Sequence, residues 1–133
     1  MIIMRRIPMT ALQTGLFDLL SAGQTTPVYD DVPDNAVFPY ITIGAFTCKR
    51  VPDKTSDIWD ATIQIHIWST YSGKAEVNAV ANDVTTVLSS AAIAAQGFVV
   101  ISQDVDFFEA FAEEEFGYHG LLTLVVNIQN TGG

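Results

Sequence analysis

Few residues in this chain offer chemistry: His66, His119, Cys48 and the carboxylates of Glu113, Glu114 and Glu115. A Ser-His-Asp relay needs a buried acid, an imidazole and an exposed serine in line. His66 lies mid-strand in DATIQIHIWST (Asp60 to Thr70), and His119 lies in the turn-like GYHG (Gly117 to Gly120). Neither has the context of a nucleophile elbow. Zinc asks for three or four ligands that close a shell, and two histidines with a single cysteine, all far apart in sequence, show no such spacing. Calcium needs oxygen ligands at alternate positions around a turn glycine, which three adjacent glutamates do not supply; they read as solvated. GYHG is too short to cradle a phosphate. The expectation is no catalytic residue, no metal, no cofactor and no enzyme.

DATIQIHIWST raises a different question, one of surface. Ala61, Ile63, Ile65 and Ile67 alternate with Thr62, Gln64, His66 and Trp68. A period of two sends the two sets to opposite faces of a strand. The isoleucine face asks for a core. The other face has three readings: a helix packs there as a mixed second core, a neighbouring subunit covers it, or a ligand binds. Aromatic side chains with little charge are typical of interface cores. Trp59 and Phe46, near the base of a charged loop, add to the aromatic surface.

The elements that must hold these residues follow from periodicity and turn chemistry. Thr10-Ala-Leu-Gln13 has the form of a capping box after Pro8. Leu12, Leu16, Leu19 and Leu20 then recur on one face, which predicts a helix over 11–22, with Gly23 as its stop. Val28-Tyr29 reads as a short strand before a Pro- and Asp-rich loop, and Tyr40 to Phe46 as a β-rich run. Residues 48–57 read as a projecting hairpin loop that carries Lys49, Arg50 and Lys54, and 58–69 as a long strand. Val77, Val80, Ala81, Val84, Val87 and Leu88 give the clearest helical pattern, over 74–90, before AAIAAQG with Gly97 as stop. Strands at 98–111 and 121–129 flank an acidic turn at 113–120. The order is α-β-β-β-α-β-β. An antiparallel sheet of four to five strands with two helices packed on one face gives an α+β fold. Residues 1–9 read as an N-terminal arm and 130–133 as a C-terminal tail.

Composition bounds the rest. A chain of 133 residues makes one domain. Charged residues are 16%, below the roughly 25% usual for soluble domains, and mean hydropathy is +0.29. Such a chain has a generous core or apolar surface that partners cover. No apolar run approaches the roughly 20 residues of a membrane span. With a formal charge of −9, the chain does not bind nucleic acid by neutralising phosphates. Its basic residues concentrate at Arg5-Arg6 and in the Lys49, Arg50 and Lys54 loop. These are either solvated or two patches that meet acidic surface on a neighbour. A single cysteine permits no internal disulfide, which fits assembly in the cytoplasm. Residues 1–9 lack the apolar core and cleavage site of a signal peptide.

Taken in order, the amphipathic first helix, VYDDVPDNAVFPYITIG (Val28 to Gly44), IQIHIWST (Ile63 to Thr70) and GKAEVNAVANDVTTVL (Gly73 to Leu88) resemble the tail-completion, or tail-to-head joining, family of long-tailed phages and prophages. Phe38-Pro39-Tyr40 and the Trp68-Ser69 exit toward Ala75-Glu76 carry it best. The resemblance spans about Leu12 to Ile128; the arm and FFEAFAEEEFGYHG (Phe107 to Gly120) depart from it. It implies a fold like that of the lambda tail terminator. It also implies a hexameric ring, placed at the head-proximal end of the virion tail and assembled in the host cytoplasm. Such a ring caps the tail tube protein, docks to the head connector or neck proteins and lets DNA pass. On this reading His66, Trp68, Trp59, Phe46, Lys49, Arg50 and Lys54 are candidate subunit or docking residues, and Glu113, Glu114 and Glu115 an acidic lumen or rim. The alternatives are a related neck or head-completion ring, or a small ligand-binding α+β domain with a deep pocket containing His66.

Overall fold

The structure, a computed structural model, describes residues 4–115 and 117–132; the first three residues of the arm, Phe116 in the acidic turn and the last residue of the tail lie outside it. Helix α1 (Met9–Gly23) buries Leu12, Leu16 and Leu20, spaced by four, completely. The capping box does not form. The helix begins earlier, with Pro8 at the N-cap and the Leu12 amide donating to its carbonyl at 2.8 Å. Thr10 is therefore already helical, and Gln13 turns away to donate to Asp30 Oδ1 at 2.7 Å. Helix α2 (Ala75–Ser90) buries the six expected apolar residues from Val77 to Leu88. Ser69 sets the turn before it. Its hydroxyl donates to Glu76 Oε1 at 2.7 Å and accepts the Tyr71 amide at 3.0 Å.

Five strands complete the fold: β1 (Val28–Tyr29), β2 (Tyr40–Val51), β3 (Ile58–Ser69), β4 (Phe98–Ala112) and β5 (Tyr118–Asn130). They form one sheet in the order β1-β2-β3-β5-β4. The element order is the expected one and the fold is α+β. Four strands are antiparallel, as expected; the fifth, β1, runs parallel to β2, so the sheet is mixed. The loop over residues 30–39 returns the chain to the end of the sheet where β1 began, so β1 and β2 point the same way. Only Val28 and Tyr29 pair, with Ile41 and Thr42.

Two boundaries differ from the sequence reading, each for a physical reason. Residues 48–51 are strand, because Cys48, Lys49, Arg50 and Val51 pair with Ala61, Asp60, Trp59 and Ile58. That ladder satisfies backbone groups at the start of β3 that would otherwise need water. The loop shrinks to 52–57. At the other end, β5 starts at Tyr118, so His119 lies in a strand rather than a turn. Gly120 suggested the turn, yet its role is close packing: a Cβ there would collide with the Val77 side chain of α2. Gly97, by contrast, does take a left-handed φ of 83° where the chain turns into β4.

Both helices pack on one face of the sheet. Ile41, Ile43, Ala61, Ile63, Ile65, Ile67, Leu122, Leu124, Val126 and Ile128 meet them in a single core. Burying side chains of this size contributes roughly 1.5–3 kcal/mol each. Gln103 of β4 ties the sheet to the end of α2. Its amide donates to Leu88 O and Ala91 O at 2.8 and 2.9 Å, and its oxygen accepts the Ile93 amide at 2.8 Å. No helix of the described residues is long and apolar enough to cross a membrane.

Candidate interaction face

The face of β3 that carries Thr62, Gln64, His66 and Trp68 lies opposite both helices, so no second core forms there. It is paved by cross-strand rows: Tyr40, Trp68, His119 and Phe111 in one, and Thr42, His66, Leu121 and Glu109 in the next. Among the described residues no helix of this chain covers it.

The two histidines, 53 positions apart, meet here. His66 Nδ1 lies 2.7 Å from His119 Nε2, and His119 Nδ1 lies 2.7 Å from Glu113 Oε1. A carboxylate at Glu113 assigns the tautomers. Glu113 as carboxylate accepts from His119 Nδ1–H, which leaves His119 Nε2 to accept from His66 Nδ1–H. Charging both rings would set two N–H groups against each other. Burial pushes the His66 imidazole below its ordinary 6.5, and a charge on His119 pushes it the same way.

Aromatic rings wedge this chain in place. His119 stacks on Trp68 with centroids 3.9 Å apart and meets Phe111 at 4.7 Å. Trp68 Nε1–H donates to Thr42 Oγ1 at 3.0 Å. Gly44 closes the far side, since a Cβ there would collide with the His66 ring. Among the described residues no nucleophile hydrogen-bonds to this Glu-His-His chain. The clefts of the molecule beside α1, between α2 and β4, and around the arm are lined by none of its members. Among the described residues no group of three or more His, Cys, Asp or Glu is arranged to hold a metal.

The remaining candidates fall in other places. Phe46 and Trp59 pack, half-buried, against the core on the helix side. The Trp59 indole N–H is near enough to Asp57 to favour its charged form, but its geometry falls short of a hydrogen bond. Lys49, Arg50 and Lys54 are exposed at the tip end of the β2–β3 hairpin. Among the described residues they make no ion pair, because the acids nearby are engaged. Asp60, across from Lys49, takes the Asn127 amide at 2.6 Å, and Asp53 takes the Thr55 amide at 2.8 Å. Glu114 and Glu115 are exposed at the acidic turn, while Glu113 is tied to His119.

Arg5 and Arg6 are bound by this chain's own groups. Asp57, 3% exposed, accepts the Arg6 amide at 2.8 Å and Arg5 Nη1 at 3.2 Å. Arg6 also reaches Asn130 Oδ1 and Gly97 O, both at 2.7 Å, and lies over the Phe98 ring. Burial raises the Asp57 pKa, but hydrogen bonds from the Arg6 amide, Asn130 and Arg5 outweigh it and hold the carboxyl below 3.8. No pattern in the sequence links position 57 to the arm; only the ladder brings them together.

A chain described as "Virion of native gene transfer agent (GTA) particle" shares this architecture. The TM-score is 0.83 at 21% identity, covering 92% of this chain and 97% of that one. At that identity the likeness is one of fold. No curated protein matches the chain. The sequence itself is more telling: residues 12–128 match the family described as "Tail completion protein gp17", and the chain belongs to that family.

Proposed function

We propose that this protein is a tail terminator: a ring of six copies that caps the tail tube, docks it to the head connector and lets DNA pass. The observation that carries the reading is the family match over 12–128. Membership makes the chain a structural protein of a phage-type tail, a class in which no catalysis is needed. Ring, docking and DNA passage are the finer reading. Three features support it. The sheet face with His66 and Trp68 is aromatic, and among the described residues no helix covers it. Among the described residues Lys49, Arg50 and Lys54 make no ion pair. Each copy brings a charge of −9, so a ring of them repels phosphate and lets DNA slide rather than stick. Glu114 and Glu115 would add to that field from the lumen or rim.

The site would sit at the head-proximal end of the virion, reached after assembly in the host cytoplasm. The ligand-domain alternative expected His66 in a deep pocket, whereas His66 lies on an open sheet face. Tails made with and without the protein, viewed by electron microscopy, test the proposal. Tails lacking it should be of irregular length or headless. Tails of normal length, joined to heads in its absence, would overturn it. A ring found instead on the head side of the joint would favour a neck protein.

A further inference from the structure

We infer that the outer edge of β4 is the surface that receives the basic β2–β3 hairpin end of the next copy in a head-to-tail ring. This rests on the ring reading above and names the surfaces that build it.

The sheet has two unlike margins. β4 closes it on one side, and no strand lies beyond its 15 residues. On the other side β1 pairs with only Ile41 and Thr42, so β2 from Gly44 to Val51 also lacks an outer strand. The β2 margin carries Lys49, Arg50 and, in the adjoining loop, Lys54. The β4 strand carries Asp104, Asp106 and Glu109, all exposed, and among the described residues their side chains make no hydrogen bond or ion pair. Opposite charges on opposite margins of one chain are complementary between copies and not within one.

A strand edge is often protected by charge and by bulges, and β4 has both, with register shifts at Val100/Ser102 and Val105/Phe107. Protection does not call for large apolar side chains. β4 nevertheless exposes Val99, Ile101 and Phe107 by 48, 54 and 49%. Apolar groups interleaved with acids, on a strand with open backbone groups, suit a surface that another protein covers. Because margin meets unlike margin, the contact is heterologous, the kind that builds a ring when the rotation between copies closes and a filament when it does not.

Charge exchange tests this. One variant carries K49E, R50E and K54E; the other carries D104K, D106K and E109K. Both remain net acidic, so any mutual attraction is local. Each is checked for folding by circular dichroism, and association is read by light scattering. If wild-type chains stay monomeric in solution, the same set is scored by capping of isolated tail tubes. Each variant alone should associate at least about tenfold more weakly than wild type, since like charges then face each other. The equimolar mixture should recover the wild-type level, in rings whose copy number is even because the two chains must alternate. Folded variants that assemble alone as wild type does, or a mixture that stays unassembled, overturn the inference while leaving the ring intact. Wild-type chains that neither associate nor cap tubes overturn the ring reading itself.

Discussion

At the scale of single residues, the Glu113–His119–His66 chain is a site of structural tension rather than reactivity. The fold prefers His66 neutral, because burial and the nearby His119 both lower its pKa below 6.5. The unfolded chain therefore binds the proton more readily, and stability rises with pH across that window. The contribution is complete above about 6.5 and is lost as pH falls through the lower folded value. Denaturant midpoints measured between about pH 7.5 and 5 should fall with acidity, and His66→Gln should remove part of that slope. An unchanged slope in the variant would show that His66 does not titrate as argued. Gly44→Ala places a methyl against the His66 ring and should cost about 1–3 kcal/mol by chemical denaturation. Asp57→Ala leaves the Arg6 amide and Asn130 without their acceptor, and a loss of about 2–3 kcal/mol is expected in the same assay. A loss under half a kcal/mol would mean that the arm is not held as described.

Elements show where sequence was readable and where it was not. Period 3.6 in Val77 to Leu88 and period two in Ala61 to Ile67 placed α2 and β3 because each buries one clean face. Their partners were less visible. Cys48 to Val51 is polar and charged, so nothing apolar marks it as strand; only pairing with Ile58 to Ala61 makes it one. Gly120 mimicked a turn because glycine serves both turns and close packing, and this hid His119 from the face it shares with His66. The Trp68 face was legible as an unanswered surface, but the His66–His119 contact depends on strand order, which periodicity does not encode. Gln103 was equally hidden. Its three hydrogen bonds join β4 to the end of α2, and Gln103→Leu should cost about 1–3 kcal/mol, with amide exchange accelerating first over 88–93. Uniform acceleration across the chain would argue against this local role.

For the whole molecule, the arrangement is two layers thick, and among the described residues no helix covers the second side of the sheet. Helices on both sides would bury the Trp68 face; in the proposed ring a neighbouring copy would cover it instead. Contacts between exposed charges are screened by salt. Ring formation through Lys49, Arg50 and Lys54 should therefore weaken as salt rises from about 0.05 to 0.5 M, which sedimentation can follow. Insensitivity to salt would point to the apolar groups alone. The two-layer build also has an optical consequence. The two tryptophans lie on opposite sides of one sheet: Trp59 against the core and Trp68 on the open face. Covering that face would dry one indole and leave the other as it was. A blue shift carried by Trp68, and missing from Trp68→Phe, would thus time assembly without any attached dye.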